Sequence, residues 1–184
     1  GFTTTGASIL TEVESLSRGG LFWRSFTHWV GGMGVLVFVM AILPMSDGHG
    51  MHIMRAEVPG PTVGKLVSRM SDTAKILYGI YLALTLVEIA LLLAGGMPLF
   101  DACIHSFGSA GTGGFSCRNL SVGAYQNPYF DIVIGIFMLM FGVNFNLYYF
   151  LLIRRFRDVF HSEELRSYLL IVAAAVVAIT VDIA

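Results

Sequence analysis

Charged residues are scarce in this sequence of 184 residues. Lys and Arg together number 11 and Asp and Glu 12, so 12% of the chain is charged, about half the share usual in a soluble domain. Hydrophobic residues make up 55% of the chain, and the mean hydropathy is +0.75. This composition indicates a membrane protein embedded in a lipid bilayer. The few basic residues are too scattered for nucleic-acid binding, so no nucleic acid is expected as a partner.

Cysteine and catalytic groups are equally sparse. The two cysteines, Cys103 and Cys117, lack the spacing of a metal site. Each is expected to be a reduced packing thiol, with a disulfide between them as the alternative. The five histidines share no common spacing either. Because there are no paired catalytic carboxylates and no nucleophile beside a base, the sequence predicts neither an enzyme nor a bound cofactor.

Long apolar runs are what the sequence has in abundance. Residues 25–43, 74–93 and 131–153 are each long enough to cross the hydrocarbon core of a bilayer as a helix. Residues 168–181 begin a fourth run of this kind. Residues 9–24, which precede the first run, are polar and are expected to form a surface linker.

Two connections between these runs, residues 44–73 and 154–166, contain most of the Lys and Arg residues. Cytoplasmic loops of membrane proteins carry an excess of these residues, so both connections are expected to be cytoplasmic. Residues 99–109 are too short to span, but Pro98 and Asp101 mark the start of a helix. Such a helix would direct the negative end of its dipole toward residues 111–116, an orientation that suits a cation there.

Two short loops rich in Thr and Gly stand beside the apolar runs. Residues 3–8 form the first Thr/Gly loop and residues 111–116 the second, and their glycines Gly6 and Gly114 lie 108 residues apart. Irregular backbone at membrane depth persists only when it is buried in protein or lines a water-filled cavity. The loops therefore predict a pore lining in which backbone carbonyls replace the water around a cation. Glycine allows the positive φ angles that would aim successive carbonyls at one axis.

The order of these features predicts a repeating unit of helix, short re-entrant helix, loop and helix, in an internal piece of a longer protein. The expected segments are the first loop and second helix of repeat one (1–43), a cytoplasmic linker (44–73), a complete repeat two (74–153, with helix 74–93, pore helix 99–109, filter 111–116 and helix 131–153), a second cytoplasmic linker (154–166) and the start of repeat three (167–184).

Four stretches, taken in order, resemble one known family. They are Gly-Phe-Thr-Thr-Thr-Gly-Ala-Ser at residues 1–8, Trp-Val-Gly-Gly-Met-Gly at 29–34 running on to Ala-Ile-Leu-Pro at 41–44, Arg-Ala-Glu-Val-Pro-Gly-Pro at 55–61 and Ser-Ala-Gly-Thr-Gly-Gly-Phe-Ser at 109–116. The chain resembles the Trk/Ktr/HKT superfamily of potassium transporters, most closely the membrane subunit of bacterial Trk potassium-uptake systems. The stretch at residues 55–61 is the most specific of the four.

The resemblance implies an all-α integral membrane protein in which four helix–pore loop–helix units, as in potassium channels, surround one pore. It implies uptake of K⁺, with no other metal, across the cytoplasmic (inner) membrane through a selectivity filter whose loops face the outer side. It further implies a homodimer and a cytoplasmic nucleotide-binding regulatory subunit as partners. Carried over by position, the ion-facing carbonyls are those of Thr4, Thr5, Gly6, Ala7, Thr112, Gly113, Gly114 and Phe115.

A few polar and small residues inside the apolar runs carry further predictions. Glu88 lies in the middle of a run, where a carboxylate is a functional candidate by default. We favour a structural role, as a partner of the short helix through a group such as His105. Asn144 and Asn146 are expected to line the cavity below the filter, with helix–helix hydrogen bonding as the alternative. Small residues in the first run would let a helix or a pore loop approach closely: Gly31, Gly32 and Gly34.

Two other functions stay open. A secondary transporter with broken helices, coupling cation flux to protons or sodium, also places irregular backbone at the middle of the membrane. It predicts inverted repeats, whereas the two Thr/Gly loops have the same predicted topology. A non-transporting membrane scaffold, by contrast, predicts no sensitivity to ions at Gly6 or Gly114.

Overall fold

A computed structural model describes residues 1–7, 10–34 and 70–183 of the chain. These residues form α-helices and one 3-10 helix and contain no strand, which confirms the predicted all-α class. The elements are α1 (Arg18–Gly32), α2 (Met70–Ala94), α3 (Leu99–Ala110), a 3-10 helix (Ser121–Tyr125), α4 (Pro128–Phe141), α5 (Phe145–Leu152), α6 (Phe156–Phe160) and α7 (Glu163–Ile183). The predictions for residues 35–69 lie outside the described residues.

Two compact units make up the described chain, Gly1–Gly142 and Val143–Ala184. In the first unit, α3 packs against α1, α2 and α4, and α2 also packs against α4. In the second unit, α6 contacts both α5 and α7. Both Thr/Gly loops belong to the first unit. Helix α3 packs against the three other described α-helices of that unit and leads directly into the second loop.

Two of the described helices are long and apolar enough to cross a membrane by themselves. They cover Ala74–Ala94, within α2, and Glu163–Asp182, within α7. A third span exists if α4 and α5 are taken together. The spans predicted at residues 74–93 and 168–181 thus coincide with long apolar helices, the second of which begins earlier than predicted.

The prediction of one continuous helix over residues 131–153 is wrong. α4 ends at Phe141, where the N–H of Gly142 donates to the carbonyl of Met138. A new helix then begins at Phe145, because the side chain of Asn144 accepts a hydrogen bond from the N–H of Asn146 and caps the new N-terminus. The apolar run therefore contains both a helix stop and a helix start.

The linker predicted over residues 9–24 is wrong in its second half, because α1 already begins at Arg18. The hydroxyl of Ser17 accepts a hydrogen bond from the N–H of Gly20 and caps the helix. Gly19 and Gly20 make this stretch look like a linker, but Leu21 is buried and ties the first turn to the unit. Helix α1, which approaches the loops, therefore begins earlier in the sequence than predicted and is anchored there by Leu21.

Candidate ion-binding site

The second Thr/Gly loop is held to the end of α3 by its backbone N–H groups. The N–H of Thr112 donates to the carbonyl of Ser109 at 2.8 Å, and those of Gly113 and Gly114 donate to the carbonyl of Gly108 at 3.1 Å each. No described residue donates a hydrogen bond to the carbonyls of residues 112–115. With the donors turned toward the helix, the carbonyl oxygens of Thr112, Gly113 and Gly114 are free to contact a ligand, whereas that of Phe115 lies against Gly108 of α3.

Both loops have the same unusual backbone. In the first loop Thr4 has a φ of 48° and Gly6 a φ of 71°, and in the second loop Thr112 has 56° and Gly114 has 68°. Each pair is related by the same offset of 108 residues that relates the sequences. Glycine adopts positive φ readily, but for a β-branched threonine this conformation is strained. Such strain persists where the surrounding structure enforces it, and it concentrates at functional sites.

The two loops lie next to each other. A Cβ atom added to Gly6 would be 3.4 Å from the carbonyl oxygen of Gly113. Thr5, Gly6 and Ala7 are exposed in the first loop, as are Thr112 and Gly114 in the second. The structure therefore brings Gly6 and Gly113, one from each set of predicted ion-facing residues, next to each other.

Helix α1 touches both loops through neighbouring residues. A side chain at Gly31 would clash with the carbonyl oxygen of Phe2, just before the first loop. A side chain at Gly32 would come within 2.9 Å of the Ala110 carbonyl oxygen and the Gly111 Cα, where the second loop begins. The prediction that small residues in this run let another segment approach closely is confirmed at these two positions, and that the segments are pore loops stays a prediction.

Phe115, at the end of the second loop, is enclosed by side chains of α1. Its ring is buried, with 5% of its surface exposed. The guanidinium carbon of Arg24 lies 4.2 Å from the ring centroid, and the ring of His28 meets it edge to face at 4.5 Å. Among the eight predicted ion-facing residues, Phe115 therefore has a buried side chain that packs against α1.

His28 is fully buried and lies against the backbone of the second loop. Its ring occupies the space that a Cβ atom would need at Gly111 or Gly113. Neither ring nitrogen has a hydrogen-bond partner among the described residues, although the backbones of Gly1 and Gly108 lie close by. Sequence reasoning missed this contact, because a single histidine in an apolar helix carries no pattern.

A hydrogen-bond chain also fastens the end of the second loop to α3. The Nδ1 atom of His105 lies 2.7 Å from the carbonyl oxygen of Asp101, so Nδ1 carries the proton and donates it. Nε2 then accepts from the hydroxyl of Ser116 at 3.0 Å, and that hydroxyl in turn accepts from the N–H of Arg118. These hydrogen bonds fix both the tautomer of His105 and the point where the loop ends.

The connector after the loop is bound to the first turn of α3. The hydroxyl of Tyr125 donates to Oδ2 of Asp101 at 2.6 Å, and Arg118 forms an ion pair with the same oxygen at 3.6 Å. Burial, and after it the negative charge of Asp101, raise the pKa of the Cys117 thiol to about 11. Both cysteines are free thiols, as predicted.

Glu88 does not form the predicted bond to His105, whose ring nitrogens both have other partners. Its side chain is fully buried in α2, and neither carboxylate oxygen has a hydrogen-bond partner among the described residues. The hydroxyl of Ser109 lies near it but donates to a carbonyl of its own helix. The suggested pairing of Glu88 with His105 is therefore wrong.

Asn144 and Asn146 lie in the second unit and are half-buried. The amide nitrogen of Asn144 donates to both carboxylate oxygens of Glu164, at 3.3 and 3.0 Å. This contact joins the start of α5 to the first turn of α7, which is the helix–helix hydrogen bonding considered as the alternative. The assignment of both residues to a cavity stays a prediction.

Long apolar helices, one of them packed against α3, and no strands among the described residues define an all-α membrane protein. A family model described as a cation transport protein matches residues 1–181. That model is TrkH, and the chain belongs to the TrkH family.

Named relatives agree with this assignment. The Trk system potassium uptake protein TrkH of Salmonella typhimurium is 42% identical over 171 residues, which cover 92% of this chain and 35% of that protein. TrkG of Escherichia coli is 36% identical over 179 residues, covering 96% of this chain and 37% of that protein. The crystal structure of the potassium transporter TrkH from Vibrio parahaemolyticus matches with a TM-score of 0.61 at 34% identity, over 80% of this chain and 28% of that one. The chain thus spans about a third of the length of these relatives.

Proposed function

We propose that this chain is part of the ion-translocating subunit of a Trk-type potassium-uptake system. K⁺ would shed its water at the two Thr/Gly loops and be held by backbone carbonyls on its way across the cytoplasmic membrane. The ligands would be the carbonyl oxygens of Thr4, Thr5, Gly6, Ala7, Thr112, Gly113, Gly114 and Phe115. Family membership and the names of the relatives support K⁺ as the transported ion.

The repeated backbone conformation is the observation that carries this proposal. In both loops a strained threonine and a glycine at positive φ flank a residue that is not at positive φ. Alternation of this kind turns successive carbonyls toward one side of the strand, whereas a regular β-strand alternates them. A carbonyl row of this kind can replace the hydration shell of a cation.

The placement of α3 favours a cation at the same point. Its C-terminus lies at Ala110, so the negative end of its dipole is next to the second loop. Acidic groups are absent from both loops, which leaves carbonyl oxygens as the ligands. Dipoles and carbonyls hold a monovalent ion without the tight binding that fixed carboxylates would impose.

Assembly and orientation are proposed from the family resemblance together with the charge pattern. Arg154 and Arg157 are exposed in the second unit, on the segment predicted to be cytoplasmic. They suit contact with a cytoplasmic nucleotide-binding regulatory subunit, and the family pattern suggests a homodimer. The loops would then face the outer side of the inner membrane.

A cation-coupled secondary transporter is the second candidate. The break between α4 and α5 favours it, because discontinuous helices form ion sites in many such transporters. The two candidates share the ion path and differ in whether proton or sodium movement drives it. Uptake measured at fixed membrane potential with and without a sodium or proton gradient would separate them.

The test of the proposed function uses the full-length parent protein in cells that lack other K⁺ uptake. Uptake of radioactive Rb⁺ and its inhibition by Na⁺ are compared for the wild type, Gly6→Ser and Gly114→Ser at matched membrane expression. A side chain at positive φ costs about 1–2 kcal/mol, so we expect weaker Rb⁺ uptake or reduced discrimination against Na⁺. Gly123→Ser is the matched control, since Gly123 has open space around it and lies outside the loops.

Unchanged uptake and discrimination in both loop variants would contradict the filter assignment and favour a scaffold or a purely structural turn. A loss of protein from the membrane in the loop variants alone would indicate a folding role. In that case Gly114→Ala, with its smaller side chain, provides the second measurement.

A further inference from the structure

We propose that α1, the helix that follows the first loop, positions the second loop through the contact of Arg24 and His28 with Phe115. The inference rests on the proposed function, because it concerns the carbonyls of the second filter strand. It assigns to Arg24 and His28 a positioning role that acts through Phe115, which lies at the end of that strand.

The ring of Phe115 fixes the end of the second loop. The ring is buried, whereas Thr112 and Gly114 in the same loop are exposed. The backbone of Phe115 also packs against Gly108 of α3, where any side chain would clash with it. Because Phe115 directly follows Gly114, a shift of its ring moves the Gly114 carbonyl that would contact the ion.

Arg24 and His28 hold this ring from two directions. They are one helical turn apart on α1, so their side chains point the same way. The Arg24 guanidinium covers the face of the ring at 4.2 Å, and one of its nitrogens is buried without a hydrogen-bond partner among the described residues. His28 contacts the edge of the ring at 4.5 Å. A guanidinium stacked on an aromatic face is an attractive contact that does not need a hydrogen bond.

The same row of α1 continues along the loop. His28 fills the space beside Gly111 and Gly113, and one turn further on Gly32 lies against Gly111. Residues at spacing four on one helix face therefore follow the second loop from its end back to its beginning. The equivalent of Phe115 in the first loop is Ala7, which has no ring to be held. The anchor is therefore specific to the second loop and comes from the helix of the other repeat.

A positioning role predicts a change in discrimination, because carbonyl placement decides which ion fits. The test uses the full-length protein, with radioactive Rb⁺ uptake and the concentration of Na⁺ that halves it. The variants are Arg24→Met, Phe115→Leu and the double variant, with Arg24→Lys as the conservative replacement. Arg18→Met is the matched control, since Arg18 is on the same helix and stacks on Phe100 at 5.7 Å, away from the loops.

We expect Arg24→Met to reduce discrimination against Na⁺ by about threefold to tenfold, the range that corresponds to loss of one cation–π contact. Arg24→Lys should restore part of it, because it keeps the charge but loses the flat face. Arg24→Met should add nothing in the Phe115→Leu background, since residues that act through one contact are not additive. Arg18→Met should behave as the wild type.

Additive effects of the two substitutions, or unchanged discrimination in Arg24→Met, would overturn the inference. Equal effects of Arg18→Met and Arg24→Met would also overturn it, because the change would then reflect α1 in general. If Gly114→Ser alters discrimination while Arg24→Met does not, only this inference fails. If neither alters it, the proposed function fails at this loop. Should Arg24→Met not reach the membrane, Arg24→Lys combined with Phe115→Leu gives the same test of additivity.

Discussion

The two Thr/Gly loops share one backbone conformation but differ in what supports it. In both, a threonine and the glycine two residues later have positive φ. The second loop is bonded to the end of α3 through three N–H groups, and Phe115 is packed beneath it. In the described part of the first loop, the N–H of Thr4 donates to Gly1, and the hydroxyls of Thr3 and Thr5 lie 2.8 Å apart. The hydrogen bonds of the first loop are therefore local, while α3 gives the second loop a fixed position.

Helix α1 lies beside both loops, so its contacts with each of them can be compared. Its Gly31 lies against the first loop and its Gly32 against the second, although the two loops are far apart in sequence. One helix can thus support both loops from outside. Changes at three places in the first unit test how the loops and their surroundings are held, from the largest expected effect to the smallest.

Filling the space at Gly31 or Gly32 should have the largest effect. We expect Gly32→Val to destabilise the protein by about 3 kcal/mol or more, since it overpacks a contact with backbone that cannot move aside. Gly31→Val should act similarly through the first loop. Thermal unfolding of the purified full-length protein and Rb⁺ uptake measure the effect. Gly19→Val, on the exposed start of the same helix with open space around it, is the control. An equal loss in Gly19→Val would mean that helix propensity, rather than loop contact, is responsible.

Replacing the buried carboxyl behind α3 should have a smaller effect of opposite sign. A buried polar group without a partner costs about 1–3 kcal/mol, so an apolar side chain of similar length should stabilise. We expect Glu88→Met to raise the melting temperature of the full-length protein and to leave discrimination at the loops unchanged. A lower melting temperature would show that Glu88 has a partner outside the described residues. Thr85→Val nearby is the comparison, because its hydroxyl is hydrogen-bonded and its loss should destabilise.

The smallest effect concerns Cys117, which directly follows the second loop. Cys117 is buried, and its pKa is raised to about 11 chiefly by that burial. Since the thiolate is the reactive form, a group with a raised pKa stays neutral until the pH approaches that value. The rate of maleimide labelling should therefore keep rising through pH 10 in a Cys103→Ser background. Leu120→Cys, in the same exposed connector without Cys117, should level off near pH 9, at about the usual thiol pKa. A plateau for Cys117 near pH 9 would show that this end of the loop is open.

Much of the fold could be predicted because it depends on composition and local pattern. The apolar runs identify α2 and α7, Pro98 and Asp101 identify the start of α3, and the repeated glycines identify the loops. The start of α1 and the break after Phe141 were harder to predict, since capping by Ser17 and Asn144 competes with hydrophobicity at the same positions. A long apolar run gives no warning that a helix stops inside it.

The site could be predicted only in its backbone part. By itself the sequence determined the helical membrane class and the two loops in which glycine makes positive φ possible, because these depend on side-chain polarity and local sterics. The tertiary structure alone decided that Arg24 and His28 enclose Phe115, that Ser116 bonds to His105 and that Glu88 has no hydrogen-bond partner among the described residues. The first two contacts join helix residues to residues of the second loop. Their geometry depends on how α1, α2 and α3 pack, which no single stretch of sequence specifies.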